Sequence, residues 1–342
     1  MTISAHFLEE TILGFSPVLV FLVALLYLDS FKLVRFSTVL WVIVLGALAA
    51  LASYFLSGVV MDTFHLNFQN YSRYAAPALE EGLKAAIILY LFARNRIGFM
   101  IDAAILGAAV GAGFSLFENV YYAALFPDAN MSVWMVRGLG TAIMHSGVTA
   151  IFAVSAQALS ERHARFSPIN YIPGYLIAIA LHSIFNQFIG YPLLSAAGTI
   201  IVLPLALLLV FDKSEHEAHD WLIHDYENHE ALLADVDSGK FATSEVGRFI
   251  RDLTSKFNKD LVANIFAYIK LHTVLVLRAE KHLLAKEDGE KDKVGTATAE
   301  NFKRLHELER KIGRAAMLTI WPHLKFSHKE LWELHKLEGD AK

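Results

Sequence analysis

Long apolar stretches recur along residues 1–211, at roughly 11–28, 38–60, 76–93, 99–125, 132–158, 171–189 and 192–211. Each is near the length of about 17–25 residues that an α-helix needs to cross a bilayer. The third is the weakest, because it opens with Glu80, Glu81 and Lys84. Beyond 211 the pattern changes. Residues 244–286 and 300–319 are rich in good helix formers, and Phe249, Leu253, Phe257 and Leu261 recur at helical spacing. A polar break at 287–296 carries Gly289 and Gly295, and Ser327 with Glu330 forms a capping-box pattern ahead of Leu331 and Trp332. The predicted fold class is all-α: a polytopic membrane helix bundle of about seven spans over 1–211, then a soluble helical domain over 212–342.

Charge sharpens this division. Of the 30 Lys+Arg and 34 Asp+Glu, residues 1–211 hold 9 and 10, leaving 21 and 24 for the tail. Basic residues also orient the spans. Lys32, Arg35, Arg94, Arg96, Arg162 and Arg165 lie in the odd loops, and only Arg73 in the even ones. This predicts an integral membrane protein with its N-terminus outside and the 212–342 domain cytoplasmic. A cytoplasmic partner or self-association through that domain is an expectation of the same reading. Glu9 and Glu10 stand where a cleavable signal would be basic. A net charge of −4 argues against nucleic acid as a partner. The absence of cysteine excludes disulfides, Cys-ligated zinc and iron–sulfur clusters. His216, His219, His224 and His229 near the tail's start are read as solvated histidines of an amphipathic helix.

Charged groups inside spans cost about 2.5–3.5 kcal/mol each at a helix centre on insertion scales. Several occur in consecutive spans. Glu80 and Lys84 stand at i, i+4 in span three, beside Glu81. Phe114, Glu118 and Asn119 lie in apolar span four. Arg137, Thr141 and His145 recur every four residues in span five, and His182 and Asn186 do so in span six. With the predicted topology these groups fall in the outer half of the bilayer or near its centre. They are expected to face one another across the bundle. No His-Glu-x-x-His, Gly-x-Gly-Asp or Gly-x-Ser-x-Gly pattern is present.

The set Glu80-Glu81-x-x-Lys84, Phe114-x-x-x-Glu118-Asn119, His145 with Arg137 upstream, and His182-x-x-x-Asn186 resembles the motifs of PrsW-type intramembrane proteases. That family sits within the superfamily of CAAX prenyl proteases and bacteriocin-processing enzymes. The resemblance covers about 76–190, in order and on separate spans. It implies an intramembrane endopeptidase acting on a membrane-spanning protein in the lipid bilayer, such as an anti-sigma factor cut first on its outer side. Lys84 and Glu118 stand where CAAX proteases carry Arg and His, so a prenylated substrate is not expected.

A glutamate in an apolar cleft can act as general base and then as general acid. Glu80 and Glu81 are the expected pair, with Glu81 favoured as base and Lys84 holding the other ionised. His182 and Asn186 are expected to bond the oxyanion. Phe114 and Arg137 are expected to orient the others. Two roles stay open for Glu118 and His145: orienting the water, or joining His182 as ligands of a catalytic zinc. The competing class is a transporter or sensor that uses buried Glu and His to bind a proton or an ion.

Overall fold

The computed structural model describes residues 5–27, 34–126, 128–161, 168–187, 191, 193–209, 229–230, 233–234, 259–287, 289–290, 292–313, 316–317 and 328–341. Lys32, Arg162, Arg165, His216, His219, His224, residues 244–258 and Ser327 lie outside the described residues. Every regular element among the described residues is a helix. Contacts divide the chain into two compact units, Met1–Glu215 and His216–Lys342.

In the first unit, α1 is Ala5–Tyr27, α2 Phe36–Thr63, α3 Ala76–Ala93, α4 Met100–Leu125, α5 Ala142–Glu161 and α6 Ile172–Gln187. An apolar helix α7, Leu193–Leu209, follows. One helix occupies each of the seven apolar stretches. Length and composition are more selective than that. Among the described residues, four helices are long and apolar enough to cross a bilayer: Phe36–Thr63, Met100–Leu125, Met131–Ser160 and, in the second unit, Lys259–Glu287. Charges at Glu80, Glu81 and Lys84 dilute α3, and α6 is only 16 residues long.

The central helix is α4. It is apolar on all sides and buried from Ile101 to Ser115, as a helix enclosed by others should be. Small residues let its neighbours come close. A Cβ on Gly111 would overlap the His145 carbonyl on α5, and one on Gly113 would overlap the Ile43 carbonyl on α2. Helix α2 instead turns Trp41, Val44, Leu48, Phe55 and Val59 outward. A contiguous apolar face of this kind suits lipid rather than water.

Two helices enter through π-helical turns. Tyr71–Ala75 leads into α3 and Val136–Thr141 into α5. The first has a cause in the sequence. In this turn the amide of Ala76 bonds back to the Tyr71 carbonyl, five residues earlier. The next residue, Pro77, has no N–H to offer Ser72 in the same way. The Ser72 carbonyl takes its hydrogen from the Asn186 side-chain amide on α6 instead, at 2.7 Å.

The second unit contains α8, Lys259–Glu287, α9, Thr296–Ile312, and α10, His328–Asp340. The predicted polar break separates α8 from α9. Ile265, Val276, Phe302, Leu305 and Leu337 share one apolar core. Arg278 on α8 grips Asp292 with two hydrogen bonds, 2.5 and 3.0 Å, and His282 Nδ1 lies 2.9 Å from the same carboxylate. The Arg278 bond leads the causes that hold the Asp292 carboxyl below its ordinary value. The tail is expected to be a soluble helical domain, and α8 is nonetheless long and apolar enough by length and composition to cross a bilayer. Its apolar buried residues, Val262, Ile265, Ile269, Leu275, Val276 and Leu283 among them, lie on the same helix as buried His272, Glu280 and His282.

Candidate active site

Four helices of the first unit bring their polar residues together. On α3, Glu81 and Lys84 are buried at one helical turn's spacing, with Lys84 Nζ 2.5 Å from Glu81 Oε1. Helical spacing suggested Glu80 as the partner of Lys84; the structure pairs the lysine with Glu81 at i, i+3. Glu81 Oε1 also lies 2.8 Å from His182 Nδ1 on α6. The carboxylate therefore accepts from Nδ1–H and leaves His182 Nε2 as the free lone pair. That nitrogen faces Glu80 Oε2 at 3.9 Å.

His145 on α5 sits between two charged groups. Lys84 Nζ is 3.1 Å from its Nδ1, and Glu118 Oε2 on α4 is 3.2 Å from its Nε2. With Lys84 as ammonium, Nδ1 accepts and Nε2–H donates to Glu118. The His145 and His182 rings meet edge to face, with centroids 4.9 Å apart. Phe114 underlies both His145, at 5.0 Å between rings, and the Lys84 ammonium, at 4.7 Å. Phe114 thus packs its face towards the lysine and its tilted ring against the imidazole.

Glu118 has a second partner. Arg137 Nη2, from the π-helical turn before α5, is 3.2 Å from Glu118 Oε2. Arg137 Nε donates to Asn119 Oδ1 at 2.9 Å, and its guanidinium lies 3.8 Å over the Tyr122 ring. Asn119 in turn donates to the Gly14 carbonyl on α1 at 2.7 Å, so its work is to tie helices together. The π turn changes the register that an α-helix would give. Arg137 reaches Glu118, while Thr141 lines a neighbouring cavity.

Of the sequence-predicted residues, Glu80, Glu81, Lys84, Phe114, Glu118, Arg137, His145 and His182 form one connected group. Asn186 stands apart, bonded to Ser72. One oxygen of Glu80 and one ring nitrogen each of His145 and His182 lie within 4.8 Å of one another. One carboxylate and two imidazoles at this spacing are a donor set for a divalent transition metal. Sequence reasoning had named Glu118 rather than Glu80 beside the two histidines. In the structure Glu118 is drawn to Arg137 and His145. Glu80 has no Lys or Arg within ion-pair distance among the described residues and faces His182. Two features escaped the sequence: the π-helical turns and the close approach of Gly111 to His145. Pro77, Gly138 and Gly140 were the signals for the former, and Gly107, Gly111 and Gly113 for the latter.

A family model described as PrsW family intramembrane metalloprotease matches residues 34–211, or 178 of the 342 residues. No curated protein and no solved structure matches the chain.

Proposed function

Because the chain belongs to the PrsW family of intramembrane metalloproteases, we propose that it hydrolyses a peptide bond of a membrane-spanning protein at the Glu80–His145–His182 group. The observation that carries this reading is the meeting of those three side chains, within 4.8 Å, inside an apolar bundle. Glu80 takes the proton from the attacking water and returns it to the leaving amine. It is the carboxylate suited to this, because Lys84 neutralises Glu81 and Arg137 neutralises Glu118. The base is therefore assigned to Glu80 rather than to Glu81. Glu81 instead holds His182 in the tautomer with Nε2 free. Asn186 keeps α6 in register with α3 through Ser72.

The residues fit the metal that the family's description implies. One oxygen of Glu80, with His145 and His182, would hold it, leaving the other oxygen of Glu80 to act as base, and zinc is the proposed ion for this oxygen and nitrogen set. Bound there, it would polarise the scissile carbonyl and make a coordinated water more acidic. His145 is held from both sides, with Lys84 Nζ 3.1 Å from Nδ1 and Glu118 Oε2 3.2 Å from Nε2.

The substrate class proposed is a single-span regulator, such as an anti-sigma factor, cut in the outer half of the bilayer. The substrate is the one the family resemblance implies, and the outer-half position rests on seven spans with the N-terminus outside, a topology supported by the basic-residue bias. The 212–342 unit is proposed as a cytoplasmic helical domain. Within α8, Glu280, His272 and His282 are buried against the unit's own helices, an arrangement suited to a soluble core and costly in hydrocarbon.

Metal analysis of the purified protein tests the site. About one zinc per chain is expected in the wild type, falling to near zero in His145→Ala and His182→Ala. Equal metal content in all three would place the ion elsewhere.

A further inference from the structure

The candidate site is closed on one side and open on the other. The side chains of Glu81, Lys84, His145 and His182 are at most 3% exposed. Those of Glu80 and Glu118 are 17% and 24% exposed. A substrate carbonyl therefore reaches the group past these two carboxylates. Hydrolysis there calls for a hydrogen-bond donor to the oxygen of the bond being cut. Sequence reasoning gave that task to His182 and Asn186. The structure commits His182 to Glu81 and the Asn186 amide to Ser72, and Arg137 is taken up by Glu118 and Asn119.

Tyr122 stands beside the open side. It follows Glu118 by four residues on α4, so the two side chains share a helix face. Its phenol is within electrostatic reach of Glu118 and of Glu80. Three groups hold the ring. The Arg137 guanidinium lies 3.8 Å from its centroid, and the Tyr121 and Phe126 rings stand 5.8 and 5.9 Å away. The hydroxyl itself makes no hydrogen bond among the described residues. By contrast, the Tyr71 hydroxyl donates to Ser57 and that of Tyr175 to the Ala78 carbonyl. A fixed ring with an uncommitted O–H is a preorganised donor, with little to rearrange when charge develops nearby.

We propose that Tyr122 is a further catalytic residue, its phenol O–H donating to the carbonyl oxygen of the cleaved bond as that oxygen gains negative charge. The inference rests on the proteolytic reading above. Tyr122 gives up no proton and forms no covalent bond. Its hydrogen bond strengthens in the transition state, so its loss falls on kcat rather than on KM. A neutral donor suits this place. A cation there would pair with Glu80, as Lys84 pairs with Glu81, and quench the base.

The test compares the full chain as wild type and as Tyr122→Phe in lipid nanodiscs. The probe is a panel of purified single-span membrane proteins reconstituted with the enzyme, and kcat and KM are measured on the member that the wild type cuts fastest. Phenylalanine keeps the ring under Arg137 and removes only the O–H. Tyr122→Phe should match the wild type in unfolding temperature and zinc content. Its kcat should fall by about 100-fold, the scale of one lost oxyanion donor, with KM within about twofold of wild type. An unchanged kcat, a rise in KM alone, or a fall in kcat accompanied by a lower unfolding temperature or a lower zinc content would overturn the proposal. Equal cleavage by the two proteins would leave the protease reading standing and remove Tyr122 from it. A wild type that cuts no member of the panel would overturn both.

Discussion

Asn186 donates its side-chain amide to the Ser72 carbonyl at 2.7 Å, the acceptor that the missing N–H of Pro77 leaves open in the π-helical turn. A backbone defect on one helix is thus closed by a side chain on another, one turn beyond His182. The contact fixes how α6 lies against α3, and so where His182 stands relative to Glu81.

Asn186→Ala should lower stability by about 1–2 kcal/mol, the cost of leaving a carbonyl without its donor in a part-buried place. In Pro77→Ala the restored N–H can serve Ser72, so the same Asn186→Ala change should cost less there. Thermal unfolding of the four proteins in detergent measures the coupling. Additive costs would contradict this account of the turn.

Lys84→Met removes the only Lys or Arg within ion-pair distance of Glu81 among the described residues. Breaking a buried pair from one side typically costs about 3–5 kcal/mol. The double variant Lys84→Met with Glu81→Gln should recover much of that loss of stability while remaining inactive, because His182 then bonds a neutral amide oxygen in place of the carboxylate that makes it basic. Unfolding temperatures and cleavage assays on the two variants check both halves.

Gly111→Ala should be harmful although it adds one methyl group to an apolar helix. Its Cβ would overlap the His145 carbonyl, so α5 must move away from α4. A loss of about 1–3 kcal/mol is expected from the overpacking, with reduced metal retention. Gly58→Ala on α2, where the added atom meets nothing within 4 Å, is the control.

Asp292 is held below its ordinary value of 3.8, first by Arg278. A carboxyl depressed in the folded state contributes stability that is present above its unfolded value and lost as pH falls through the folded one. Hydrogen exchange at the α8–α9 junction should therefore quicken below about pH 4. In Asp292→Asn that acid response should be weaker. A wild-type junction insensitive to pH over that range would contradict the assignment.

The positions of the helices were legible because an apolar stretch in this chain has few other ways to satisfy its backbone. The meeting of residues from α3, α4, α5 and α6 was legible for a related reason: each polar group is costly anywhere but the bundle interior. Partner choice was not legible. Glu80 and Glu81 are adjacent, and straight α-helical spacing favoured Glu80 for Lys84. The structure gives the lysine to Glu81 and leaves Glu80 facing the histidines. Arg137, Thr141 and His145 looked like one stripe, but the π-helical turn at Val136–Thr141 interrupts it. Such turns depend on tertiary contacts and leave only a glycine or a proline as trace. The tail's α8 shows the converse: it packs into the core of its own unit, yet by length and composition it reads like a helix that crosses a bilayer.

The central claim is that Glu80 works on a peptide bond inside the membrane. The most direct measurement is the yield of cleavage fragments from co-expressed single-span proteins, wild type against Glu80→Gln. Glutamine keeps the shape of the side chain but cannot shuttle a proton. The account predicts fragments with the wild type and none with Glu80→Gln, at equal membrane abundance and equal unfolding temperature. Equal fragment yields from the two proteins would contradict it.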